Sequence, residues 1–258
     1  MFAQSLHPFA RRLPTGNVSV PLLATVRVSS PQQRRFGVDV RQAYHEQLAA
    51  VTDELVLLAD AVAIAMDKAT SSLLDADLDL AEAVISGDAA IDSMAQELEE
   101  RMFELTVRQQ PVASDLRSLV AALRISASLE RMGDLAVHVA KAARLRYPNQ
   151  TLPPELRATI VSMGQIAQEI VTRAAEVIRT RDVAAARALQ AVDERMDRHH
   201  RDLFGVVLAS DWAHGVEAAI DITLIARYYE RFADHATTIA RRVIQVVTGD
   251  AYIDIPKP

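Results

Sequence analysis

The chain contains no cysteine, one tryptophan and only eight glycines in 258 residues, and its aromatics amount to 5%. Without cysteine there is no disulfide and no thiolate metal site, so any bound metal must take oxygen or imidazole ligands. The same absence fits a reducing compartment. Glycine is too scarce for a phosphate-cradling loop or a dinucleotide-binding turn, and no nucleophile and base stand in a recognisable catalytic arrangement. No run of 18 or more apolar residues occurs, so no stretch qualifies as a membrane-spanning helix. Acidic residues are missing from Met1 to Gly37, where five arginines lie (Arg11, Arg12, Arg27, Arg34, Arg35). The rest of the chain has 23 basic residues against 34 acidic, a balance of −11 within an overall −6. Such an acidic body is unsuited to nucleic acid, which needs a basic surface.

What remains is rich in Ala, Leu, Val and Arg, the composition of long packed helices. From Arg41 to Leu74 the apolar positions Tyr44, Leu48, Val51, Leu55, Leu58, Val62, Ala65, Ala69 and Leu73 advance by threes and fours, predicting one long amphipathic helix. A second is expected from Leu78 to Val107, stopped by Gln110-Pro111, and a third from Asp115 to Arg146 with Ser114 as its cap. Pro148, Asn149, Pro153 and Pro154 mark a linker. Beyond it, helices are expected from Pro154 to Thr180, Asp182 to Ala209 and Val216 to Val247, with Gly249 just past the last. The pattern is all-α, three helices and then three more.

The two trios are copies. LERMGDLAVHVAKAAR (Leu129 to Arg144) returns as YERFADHATTIARRV (Tyr229 to Val243) at an offset of 100 residues. Asp88 and Asp92 fall on Asp193 and Asp197 at an offset of 105. A period this long is a duplicated domain and not a solenoid repeat. The expected organisation is an N-terminal extension at 1–39 that is disordered or not naturally present, three-helix repeats at 40–148 and 149–250, and a tail at 251–258.

Each repeat carries an acid pair on its second helix and another on its third: Asp88 with Asp92 and Glu130 with Asp134, then Asp193 with Asp197 and Glu230 with Asp234. Residues four apart share a helix face, where like charges cost about 0.2–0.5 kcal/mol per pair. Other pairs, such as Asp75/Asp79 and Glu217/Asp221, have the same spacing, so spacing alone decides little. Recurrence in register decides more. So does the way Asp88, Asp92, Glu130 and Asp134 continue the apolar stripes of their helices. Four carboxylates converging between helices must protonate, find arginine or bind cations. Oxygen ligation favours hard ions such as Mg²⁺, Mn²⁺ or iron. The alternative is neutralisation by Arg124, Arg131, Arg227 and Arg231. His138 and His235 are not expected as ligands, since Thr238 replaces the former in the second repeat and the latter points about 100° away from Asp234. A ferritin-like oxidase is excluded because the Glu-x-x-His position is Gly133 in one repeat and Ala233 in the other.

With the paired ERMGDLAVHVA and ERFADHATTIA segments, the RQQPVASDLR turn (Arg108 to Arg117), the AYHEQL opening (Ala43 to Leu48) and the closing VVTGD (Val246 to Asp250), the chain resembles the PhoU family from about Arg41 to Asp250. The resemblance implies two tandem, pseudo-symmetric three-helix bundles. It implies multinuclear metal binding through E(D)xxxD motifs, matched here by Asp88, Asp92, Glu130 and Asp134 and by Asp193, Asp197, Glu230 and Asp234. It further implies a cytoplasmic, homodimeric regulator, not an enzyme, that restrains the phosphate-starvation response and high-affinity phosphate uptake. Its expected partners are the ATPase subunit of the phosphate ABC transporter and a PhoR-type sensor histidine kinase, through which alone it reaches the membrane. The rivals are a metal-dependent enzyme or metal store built on the same acids, and a metal-free helical scaffold. The family usually begins just before AYHEQL, which makes Val40, a GTG codon read as valine, the expected start and Met1 to Asp39 upstream sequence.

Overall fold

The structure is a computed structural model that describes residues 31–111 and 113–250, with side chains from residue 42 onward apart from 43, 109 and 112. Met1–Arg41 and Gln42–Pro258 form separate units. Of the first, only the helical run from Pro31 is described, so the expectations for residues 1–30, like those for the tail at 251–258, lie outside the described residues.

Six α-helices follow one another: α1 (Pro31–Asp75), α2 (Leu78–Gln109), α3 (Ser114–Arg146), α4 (Arg157–Thr180), α5 (Val183–Val207) and α6 (Gly215–Thr248), with a 3₁₀ turn at Pro154–Leu156 ahead of α4. No strand occurs among the described residues. The all-α expectation holds, with two corrections at helix starts. The first helix begins ten residues before Arg41, at Pro31, because proline fits a helix's first position and Gly37 breaks the apolar pattern without breaking the helix. Ser114 is not a cap: Ala113 occupies that place with φ 49° and no side-chain bond, and Ser114 is already helical. Elsewhere capping follows side-chain chemistry. Asp77 accepts from the Leu80 amide at 2.9 Å, and Asp182 from the Ala184 and Ala185 amides at 2.7 and 3.1 Å. Gly249 closes α6 at φ 76°, a left-handed geometry that suits a residue without Cβ.

One continuous apolar core runs through both repeats, from Val51, Leu58 and Met66 of α1 to Phe232 and Ile239 of α6. The repeats meet through α1 and α3 on one side and α4 and α6 on the other. Gln168 donates to the Ala63 carbonyl at 2.8 Å, and Arg157 donates to Asp75 at 2.7 Å and to the Leu74 carbonyl. Deep in this seam the Tyr229 and Thr70 hydroxyls lie 2.8 Å apart, and Thr70 also donates to the Met66 carbonyl at 2.8 Å. A Cβ on Gly164 would sit 2.7 Å from Thr70 Cγ2, so α4 approaches α1 here only because residue 164 lacks a side chain. Thr70 cannot turn aside without giving up buried hydrogen bonds. Gly164→Ala is therefore expected to destabilise the protein by about 1–3 kcal/mol despite the better helix propensity of alanine. Thermal melting would register this as a fall of several degrees; a rise would mean that the seam yields.

Helices α3 and α6 run antiparallel. His138 stacks on Tyr228 with ring centroids 5.0 Å apart and planes 19° apart, Arg117 donates to the Gly249 carbonyl at 3.3 Å, and Arg146 pairs with Asp221 at 2.5 Å. In each contact the residue numbers sum to 366 or 367. Together with the repeat offset of 100, that register puts the local two-fold between the repeats at the level of Gly133 and Ala233. The ExxxD pairs of both repeats, which flank these two residues in sequence, therefore lie at one height.

Candidate functional site

In the first repeat the acids gather where α2 crosses α3. A Cβ on Gly133 would lie 3.1 Å from Ile91 Cγ2 and 3.7 Å from Asp88 Oδ1, so the glycine of the LERMGDL motif permits the approach. Asp88 is half-buried, and its Oδ1 is enclosed without a hydrogen-bond partner among the described residues. Burial, followed by the charges of Asp92 and Asp134 and then Glu130, pushes the Asp88 carboxyl above its ordinary value; Lys141 works in the opposite direction. Asp88, Asp92, Glu130 and Asp134 thus share one electrostatic field. Glu130 and Asp134 are half-buried and Asp92 is exposed.

The second repeat is drier. Asp193 is fully buried and Glu230 is 7% exposed, while Asp197 and Asp234 are half-buried. A same-helix arginine holds one acid in each repeat: Arg131 reaches Asp134 at 2.9 Å, and Arg227 reaches Glu230 at 2.6 Å. The other two arginines expected to neutralise acids act elsewhere. Arg124 lines a trough with Arg117 and Arg242, and Arg231 helps burial to lower the pKa of His235, with Arg131 acting the same way and Asp234 opposing. His138 is engaged with Tyr228 and not with the acids.

Among the described residues no three His, Asp or Glu side chains are already drawn around one point as ligands. The donor set nevertheless fits a hard cation. It offers oxygen only, it brings like charges together between two helices, and it encloses one carboxylate oxygen with no protein donor to satisfy it. Lys141 was not legible as part of the site, although its position seven residues after Asp134 puts it on the same α3 face.

The sign of the Asp88 shift gives a testable consequence. In metal-free protein, ionising Asp88 costs the folded state more than the unfolded one. The penalty therefore appears as pH rises from the ordinary carboxylate value, about 4, through the raised folded value, and persists above it. Asp88→Asn is expected to match the parent at low pH and to melt higher at neutral pH. Paired thermal scans at the two pH values decide it, and a variant that melts lower at neutral pH would contradict the assigned cause.

A duplicated helical trio whose ExxxD pairs lie at one level defines a tandem helical-bundle protein. The PhoU domain pattern matches residues 55–143 and 160–243. The chain belongs to the PhoU domain family. It is 46% identical over 210 residues to the phosphate-specific transport system accessory protein PhoU homolog 2 of Mycobacterium tuberculosis, covering 81% of this chain and 99% of that one. To the PhoU homolog of Caulobacter vibrioides it is 31% identical, covering 81% and 91%. In three dimensions it is similar to the crystal structure of PhoU from Pseudomonas aeruginosa, with a TM-score of 0.72 and 28% identity over 80% of this chain and all of that one. The names of these relatives are those of accessory proteins, not enzymes.

Proposed function

We propose that this chain is a negative regulator of the phosphate-starvation response and of high-affinity phosphate uptake. It acts in the cytoplasm as a dimeric adaptor between the ATPase subunit of the phosphate ABC transporter and a PhoR-type sensor histidine kinase. The observation that carries this reading is similarity along almost the full length of named phosphate-transport accessory proteins, at 46% identity. Long helices with extended outer faces suit an adaptor better than a reaction centre.

The metal part of the proposal rests on the acids. Asp88, Asp92, Glu130 and Asp134 would hold hard cations such as iron, Mn²⁺ or Mg²⁺ in the first repeat, and Asp193, Asp197, Glu230 and Asp234 in the second. A bound cation supplies positive charge. The residues' own part is to brace α2 on α3 and α5 on α6 and so fix the outer faces that partners read. Deleting the gene and measuring alkaline phosphatase in phosphate-rich medium tests the regulatory reading. Constitutive output is expected, and output that stays repressed would overturn it.

A further inference from the structure

The duplication provides an internal control for surface chemistry. Between the N-terminal half of α3 and the C-terminal half of α6 lies a trough of about 280 Å³ walled by Leu116, Arg117, Val120, Arg124, Arg242 and Val246. Among the described residues no acid lines it. An offset of 100 residues converts these positions into those of the equivalent groove at the other end of the same helix pair: Val216, Glu217, Ile220, Leu224, Ala142 and Arg146. There the lone arginine is consumed internally, since Arg146 pairs with Glu217 at 2.7 Å and with Asp221 at 2.5 Å. In the trough the position of Glu217 is Arg117 and that of Asp221 is Ala121. Two acids have no counterpart, and arginines stand at 124 and 242 where the other groove has leucine and alanine.

Three guanidinium groups around one concavity repel one another unless something negative joins them. Arg117 spends one bond on the Gly249 carbonyl, Arg242 donates to the Gln245 side chain at 3.3 Å, and the Arg124 guanidinium makes no hydrogen bond or ion pair among the described residues. Beside it α3 exposes Leu116, Val120 and Leu123 at 41%, 39% and 36%, spaced by four and three along one helix face. Aliphatic side chains interleaved with guanidiniums do not suit a small oxyanion, which wants polar donors on every side. They suit an amphipathic segment that brings carboxylates for the arginines and aliphatic side chains for the stripe.

We propose that the trough formed by Arg117, Arg124 and Arg242 with Leu116, Val120 and Leu123 docks an acidic, aliphatic helical segment of a partner protein. The inference rests on the adaptor reading and names the face that reading needs. Electrostatic complementarity supplies register and encounter rate, and the aliphatic stripe supplies buried area. The pseudo-symmetric groove, neutralised from within, does not bind the same segment.

The test uses the full chain and a fluorescein-labelled helical peptide of about five turns, ~18 residues, with Glu and Leu at alternating three- and four-residue spacing. Fluorescence anisotropy is expected to show binding that weakens as salt is raised. Arg124→Glu should weaken it by about tenfold or more. Leu224→Glu, the equivalent change in the other groove, should leave it within about twofold. Both sites are exposed, and circular dichroism confirms that each variant folds. Absence of binding, equal loss in both variants, or displacement of the peptide by millimolar inorganic phosphate would overturn the proposal. Peptide binding that obeys these expectations, beside unchanged phosphatase output in the deletion strain, would leave the trough standing and remove the phosphate-regulatory reading.

Discussion

Protein stripped of metal and then titrated with Mn²⁺, or with Fe²⁺ under anaerobic conditions, is expected to melt about 5–11 °C higher for each repeat that holds an ion, with the ion in hundredfold excess over its dissociation constant. At that ratio, binding to the folded state alone contributes about 2.7 kcal/mol, and each kcal/mol moves the midpoint of a chain this size by about 2–4 °C. The effect should be large because the metal-free state is penalised. Asp88 is held above its ordinary pKa by burial and by three neighbouring acids, and in the second repeat Asp193 lies fully buried beside α6. A cation held by these acids would offset their like-charge repulsion and the enclosure of the Asp88 oxygen together. Changing Asp88, Asp92 and Asp134 to Asn and Glu130 to Gln should cut the gain by about half, since the second repeat keeps its own set. If differential scanning calorimetry finds no metal-dependent shift, the arginine-neutralised alternative prevails, with Arg131 on Asp134 and Arg227 on Glu230 as its visible half.

Gly133→Leu carries the second large effect. The Cβ alone would lie 3.1 Å from Ile91 Cγ2, and a further three carbons have nowhere to go between α2 and α3. Ile91 and Leu129 are buried, and the core there is packed, so the helices must separate. Overpacking of this kind costs about 3 kcal/mol, or roughly 6–12 °C in melting temperature. The same separation should pull Asp88 and Asp92 away from Glu130 and Asp134. The variant is therefore expected to lose the metal response of the first repeat as well as stability. Loss of stability with the metal response intact would mean that the acids do not depend on the α2 to α3 approach.

Periodicity made the helices legible because a buried stripe must recur every three or four residues, and each of the six shows one. Their ends were less so. Ser114 looked like a cap by residue type, yet the chain turns at Ala113 with positive φ, a choice of backbone that composition does not reveal. Pro31 starts the first helix well ahead of the apolar pattern, which Gly37 obscures. The acid pairs stood out through repetition, and spacing correctly put them on one face per helix. Spacing does not give depth, however. Asp193 and Asp88 hold equivalent places in the two repeats, yet the first is fully buried and the second half-buried, and nothing local shows that Asp88 sits against Gly133. Contacts across the repeats, such as His138 on Tyr228 and Tyr229 on Thr70, depend on how α3 and α1 meet α6, and no window of sequence contains that information. The roles of the arginines divided on the same ground. Those one turn from an acid, Arg131 and Arg227, were readable, whereas Arg124 belongs to a trough that exists only once α3 lies against α6.

Alkaline phosphatase output in phosphate-rich medium, from a deletion strain carrying either the parent chain or a chain with all eight acids changed to Asn or Gln, joins the site to the role most directly. With both proteins present at equal level by immunoblot, the parent is expected to restore repression and the eight-acid variant to leave output high. Full repression by the variant would show that these carboxylates play no part in the signal.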